Sequence, residues 1–180
     1  MKKLMIPLAC IFVGVQTANA TSAMDTEVAQ DESRVAVEWL EPKSYRDVRS
    51  ANSSSTKFRK QVFKELEEHL VDLSEDLPEG QSLKIRVTDL DLAGRVEPGG
   101  INGFGTSGDI RVVRQIDIPR ITFEYDLLDA EGQILKTEEV NLKDMGFLDG
   151  PRITRRNEPY SYEKHMLSEW FKDNLVKSDA

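Results

Sequence analysis

The residues with most to offer chemically lie between Thr88 and Arg120, where Asp89, Asp91, Arg95, Arg111, Arg114 and Arg120 fall within one stretch. Arginine meets carboxylates through a planar, two-pronged contact, so such a cluster can do one of two things. It can form a network that fastens the end of a sheet, or it can line a polar cleft for an acidic ligand or a cation. The aspartates stand out further. Leu83, Ile85 and Val87 alternate on one face of a strand, and unbroken alternation would carry Asp89 and Asp91 onto that apolar face. A carboxylate aimed into apolar surroundings is heavily penalised unless paired. Either a bulge shifts the phase, turning Leu90 and Leu92 inward, or the strand end leaves the core; Gly94 suits both. The candidate binding residues are Asp89, Asp91, Arg111, Arg114 and Arg120, with no catalytic role assigned to any.

Other chemistries fare worse. Gly99-Gly100-Ile101-Asn102-Gly103-Phe104-Gly105 invites a phosphate-loop reading, but a dinucleotide fingerprint leads into a helix and a P-loop needs Lys followed by Ser or Thr. Here the next segment, Ile110 to Val113, reads as strand, so a hairpin-like loop fits better. Asp89-Leu90-Asp91 lacks the run of oxygen ligands of a calcium loop, so no metal is expected, and no cofactor. His69 reads as a solvated helix residue near Glu65, Glu68 and Asp72, and His165 as a packing or surface residue beside Tyr162. No serine stands in a Gly-x-Ser-x-Gly elbow.

The elements that must position these residues are legible in outline. Val35, Val37 and Trp39 alternate as a short strand ending by Pro42. Asn52 to Thr56 is a polar loop able to cap a helix. Phe58, Val62, Phe63, Leu66, Leu70 and Leu73 then recur at helical steps. Leu77-Pro78-Glu79-Gly80 breaks the helix, and a second strand runs from Ser82 to about Leu92. Strand, helix and strand make a β-α-β unit, which favours parallel pairing. Ile121, Phe123, Tyr125 and Leu127 alternate with polar residues, as in a sheet with one wet face. Asp129-Ala130-Glu131-Gly132 turns this strand into Ile134–Leu142 as an antiparallel hairpin. Residues 145–159 form a linker, and a closing helix carries Tyr162, Met166, Trp170 and Phe171 toward the sheet, extending to Leu175. The fold class is α+β: one domain over 34–176, a mixed sheet of four or five strands with helices mainly on one face.

Residues 1–20 have the three parts of a cleavable export signal. Lys2 and Lys3 precede an apolar run from Leu4 to Val15, and Ala18-Asn19-Ala20 supplies small residues for cleavage. The run is shorter than the roughly 20 residues that span a bilayer in a helix. Cutting before Cys10, as in a lipoprotein, is disfavoured by Pro7 and by Ile11-Phe12-Val13 continuing the apolar core. Cleavage after Ala20 removes the only cysteine and leaves a disulfide-free chain. Residues 21–33 read as a disordered lead-in. The net charge of −8 becomes −10 once Lys2 and Lys3 are gone. That balance argues against nucleic acid and anionic membranes as partners.

Val37-Glu38-Trp39, Glu67-Glu68-His69-Leu70, Val87 to Gly94, Arg111-Val112-Val113-Arg114, Pro119-Arg120-Ile121, Tyr162-Glu163-Lys164 and Trp170-Phe171 together resemble domain-of-unknown-function family 3016. These are small exported proteins of Gram-negative bacteria. The resemblance covers roughly residues 35–175 and implies a periplasmic address but no activity. The expectation is an uncharacterised periplasmic protein, a non-enzymatic module binding an envelope protein or a small ligand, with no transmembrane segment once processed. The alternatives are an enzyme using the Asp/Arg cluster and a purely structural envelope protein. Oligomeric state is not read from the sequence.

Overall fold

The structure, a computed structural model, describes residues 33–98, 108–149 and 158–176. The expected signal peptide, the lead-in up to residue 32, the glycine loop and the middle of the 145–159 linker lie outside the described residues.

The first strand, β1 (Val35–Trp39), is followed by helix α1 (Ser55–Ser74) and strand β2 (Ser82–Asp91). β1 and β2 pair in parallel, Val35 opposite Leu83 and Trp39 opposite Val87, as the β-α-β pattern predicts. Arg34 fastens the return from the helix, donating to the carbonyls of Leu77, Pro78 and Gln81. The expected polar cap is only half realised: Ser54 occupies the N-cap of α1 but makes no side-chain capping bond.

After β2 come β3 (Arg95–Pro98) and β4 (Asp109–Val112), which pair only with each other. The strand anticipated around Ile110 therefore exists, but in a separate two-stranded sheet. The main sheet has four strands, completed by β5 (Arg120–Leu128) and β6 (Ile134–Lys143), both antiparallel to their neighbours. Asp129 shapes the β5–β6 turn, its carboxylate accepting from the N–H groups of Glu131 and Gln133.

One face of the sheet is apolar. Leu83, Ile85, Val87 and Leu90 of β2 and Ile121, Phe123 and Tyr125 of β5 are buried there. They share a core with Val62, Leu66 and Leu70 of α1 and with α2 (Ser161–Phe171), which contributes Met166, Leu167, Trp170 and Phe171. Trp170 meets Phe123 and Tyr125 edge-on at 4.7 and 5.3 Å, so the closing helix docks on the sheet as its stripe predicts. A π-helical turn, Lys172–Val176, continues it and buries Leu175. On the opposite face Arg86 bonds Asp126 and Glu124, while Thr137 donates to Asp126. Among the described residues no helix is long and apolar enough to cross a membrane.

Two side chains differ from their expected settings. His69 is only partly solvated: its Nε2 lies 2.9 Å from the Lys164 carbonyl and 2.8 Å from the Ser168 hydroxyl, tying α1 to α2. A carbonyl only accepts, so Nε2 carries a proton, and burial lowers the imidazole from its usual value, opposed by the bond to the Lys164 carbonyl. Phe147, inside the expected linker, is fully buried and packs edge-on against Tyr162 at 5.0 Å.

Candidate functional site: an arginine- and aspartate-lined cleft

The phase of β2 does shift, and a bulge does it. Pairing with β5 runs regularly to Val87 opposite Phe123 and resumes at Asp89 opposite Thr122, leaving Thr88 without a partner residue. Leu90 therefore turns inward, fully buried, while Asp89 and Asp91 leave the apolar face. Asp91 now stands opposite Arg120, which in turn stands opposite Lys143 of β6.

The loop after β1 closes over this strand end. Tyr45 and Val48 are its buried anchors, and the Tyr45 hydroxyl donates to the Val87 carbonyl beside the bulge at 2.9 Å. Arg46 and Asp47 between those anchors, and Arg49 just after them, line the same cleft as Asp91 and Arg120. The Arg46 amide donates to Asp89, and its guanidinium lies 3.7 Å from Asp89 and 3.9 Å from Asp91, too far for hydrogen bonds.

The five candidate residues separate into two groups. Arg111 and Arg114 are committed to the fold. Arg111 donates to the Asp47 carboxylate and to the carbonyls of Asp47, Arg49 and Gly94, with Ala93 at a longer 3.4 Å. It thereby pins the loop to the β3–β4 hairpin. Arg114 forms a two-pronged pair with Glu97 across that hairpin. Asp89, Asp91 and Arg120 gather at the strand ends, and Asp91 and Arg120 line an open cleft of about 430 Å³.

Burial sorts the cleft by charge. The side chains of Asp47, Asp91 and Asp117 are 12, 17 and 9% exposed, whereas those of Arg46, Arg49 and Arg95 are 58, 59 and 66% exposed. The carboxylates form the floor, and these three arginines form an exposed rim. Burial pushes the Asp91 carboxyl upward, opposed by Arg46 and Arg120 and reinforced by Asp47 and Asp89. Asp117 is set by backbone: its N–H donates to the Arg114 carbonyl and its carbonyl accepts from Gly94. Gly94 has φ +81°, and a Cβ there would come within 2.6 Å of the Val112 carbonyl, so glycine is needed.

The hydrogen-bonding demand of the cleft is not met internally. Among the described residues the buried side-chain polar atoms without a partner are Asp117 Oδ2 and Arg120 Nε, an acceptor and a donor, both on residues that line it. Leaving such a group unpaired costs about 1–3 kcal/mol. Among the described residues no three His, Cys, Asp or Glu side chains group as a metal site.

A second cavity of about 390 Å³ adjoins the first and shares Arg49 and Leu92 with it. Phe58, Val113, Tyr160 and Tyr162 make it more apolar, and Glu163 lies beneath. The Glu163 carboxyl is 3% exposed and accepts from the Ala93 amide at 2.7 Å. Burial pushes it up, against the pull of the Ala93 and Glu163 amides and of Arg111.

Reading the sequence did not single out Arg46, Asp47, Arg49 or Asp117, and noted Glu163 only within the motif Tyr162-Glu163-Lys164. The one available signal was the run Tyr45-Arg46-Asp47-Val48-Arg49, whose apolar residues are the loop anchors and whose charged residues face the cleft.

No curated protein and no solved structure matches the chain. A family model described as "Protein of unknown function (DUF3016)" matches residues 33–173, which takes in both strands of the bulge, the arginine brace and the closing helix. The chain belongs to this DUF3016 family.

Proposed function

We propose that the protein is an exported, non-enzymatic binding module of the bacterial envelope, and that its cleft takes a small ligand carrying both charges, of the amino-acid or dipeptide class. The observation that carries this reading is the pair of unmet atoms, Asp117 Oδ2 and Arg120 Nε, on residues of one open cleft. A ligand ammonium satisfies carboxylates such as Asp117 and Asp91, and its carboxylate satisfies Arg120 and the loosely held Arg46. Two of the rim arginines hold no tight partner, Arg46 and Arg95 approaching their aspartates at 3.6–3.9 Å, while Arg49 is held by Asp47 at 3.1 Å. Export is supported by Lys2-Lys3, the apolar run and Ala18-Asn19-Ala20.

Isothermal titration of the purified protein with free amino acids and glycylglycine tests the binding reading. Saturable heat is expected, weakened about tenfold by Asp117→Asn, roughly the worth of one charged hydrogen bond. Absence of heat with every zwitterion refutes it. Cell fractionation with N-terminal sequencing tests the address: the expected product starts at Thr21 in the periplasm, and an intact Met1 in the cytoplasm refutes export.

One observation favours a catalytic alternative, the partly buried Asp91 carboxyl pushed upward opposite Arg120, since shifted carboxyls recur as proton carriers in active sites. Recovery of the bound ligand chemically unchanged after prolonged incubation excludes it.

A further inference from the structure

The second cavity is absorbed by nothing in the cleft reading, and its chemistry is complementary to the cleft. We infer that it receives a large apolar side chain of the same ligand, which makes that ligand a short peptide bearing a leucine- or phenylalanine-like residue. This rests on the cleft reading and extends it.

Three observations converge. The two cavities meet along Leu92 and Arg49, so a ligand anchored in one needs only to cross that ridge to enter the other. Arg49 is a suitable ridge residue. Its side chain is 59% exposed and held by Asp47 and by a long 3.5 Å contact to the Val96 carbonyl, so it can move aside or lie over a bound chain. Beneath the ridge Arg111 is fixed by the Asp47 carboxylate and by carbonyls on both sides, so the partition stays in place while its crest moves.

The lining follows the division of labour expected of a peptide site. The cleft presents charges. The second cavity presents the faces of Phe58 and Tyr160, which meet edge-on at 6.3 Å, and Val113, left 41% exposed. A wall that keeps a valine in water gains when an apolar side chain covers it. Tyr160 adds a third sign. It sits at the N-cap of α2 with φ +56°, the left-handed region that a bulky residue rarely adopts, and it makes no side-chain capping bond there. Strain of this kind concentrates where backbone is held to shape a site. Here it presents the Tyr160 ring to the cavity instead of a small capping residue.

The test compares glycylglycine, glycyl-leucine and glycyl-phenylalanine by titration against the full protein and two variants, Val113→Glu and Asp117→Asn. Val113 is half in water, so the first variant alters the cavity without opening the core; a melting curve checks that each variant is folded. The apolar dipeptides should bind about 10- to 100-fold more tightly than glycylglycine, the effect of burying one such side chain. Val113→Glu should reduce them to the glycylglycine level while leaving glycylglycine itself unchanged. Equal affinities for all three dipeptides overturn the inference and leave the cleft reading standing. Tight apolar binding that Val113→Glu abolishes but Asp117→Asn does not touch keeps the second cavity and overturns the cleft. No binding of any dipeptide overturns both.

Discussion

Arg111 is the clearest place to test whether the arginine cluster is one feature or two. Its guanidinium donates to the Asp47 carboxylate at 3.0 Å, to the Gly94 and Arg49 carbonyls at 3.0 Å and to the Asp47 carbonyl at 3.2 Å. Replacement by alanine leaves the Asp47 carboxylate, only 12% exposed, with Arg49 alone, and strips several carbonyls of their donor. Breaking a buried charge pair costs about 3–5 kcal/mol. Arg111 is 22% exposed, so water recovers part of the loss. A cost near the lower end, about 3 kcal/mol, is a large share of the ~5–15 kcal/mol that holds a typical domain. At about 2–4 °C per kcal/mol for a chain of this size, Arg111→Ala should melt roughly 6–12 °C lower. Arg111→Lys keeps the charge but loses the fork, and should recover less than half. Arg114→Ala is the control: Arg114 is 42% exposed and holds Glu97 alone, with no carbonyls to strip, so its midpoint should fall by less than half as much as that of Arg111→Ala. Calorimetric melting curves with urea midpoints decide the matter. If Arg111→Ala costs no more than Arg114→Ala, or if lysine substitutes fully, the brace has been misread.

Glu163 predicts a pH signature. Burial holds its carboxyl above the ordinary glutamate value of 4.5, so the folded state holds this proton more tightly than the unfolded chain does. Its contribution is complete below that ordinary value and is lost as pH rises through the raised one. Glu163→Gln, equal in shape and without the charge, should gain on the parent as pH climbs from about 4 to 8 in urea titrations; parallel curves would refute the burial argument. Gly94→Ala should cost more than about 2 kcal/mol, since both its φ of +81° and the 2.6 Å approach to the Val112 carbonyl are violated. Gly132→Ala, with φ +76° but open space around it, should cost about 1 kcal/mol. Equal losses by thermal denaturation would mean that the Gly94 contact does not constrain the fold.

The sequence carried the sheet and helices because each is a local pattern. The period-2 runs of β1, β2 and β5 and the 3.6-period stripe of α1 need only neighbours a few residues away to be recognised. The same logic exposed the conflict between Val87 and Asp89, and naming a bulge as one resolution was as far as a local pattern could go. The composition of the cleft was beyond that reach. Asp47 and Arg111 meet across 64 positions and Tyr45 reaches Val87 across 42, so neither contact leaves a periodic trace. Arg111 and Arg120 are chemically identical in the sequence. What separates them is that one finds a loop full of carbonyls and the other a cleft.

That separation begins at the bulge. With Thr88 unopposed, β2 keeps Leu90 in the core and brings Asp91 level with Arg120 on the polar side. The Val87 carbonyl just before it accepts two donors, the Leu40 amide and the Tyr45 hydroxyl, each at 2.9 Å. The first continues the β1 ladder; the second pulls the following loop down so that Arg46, Asp47 and Arg49 face the strand end. One irregular residue thus does two jobs that a regular strand could not combine, rescuing the core from two carboxylates and recruiting a loop to enclose them. Bulges recur beside binding sites because they re-aim side chains without breaking a sheet. Here the cross-strand Arg120 keeps a buried Nε without a partner, and Asp117 of the same cleft a buried Oδ2, whereas a network built for stability alone would have paired them as completely as Arg86 is paired with Asp126 and Glu124.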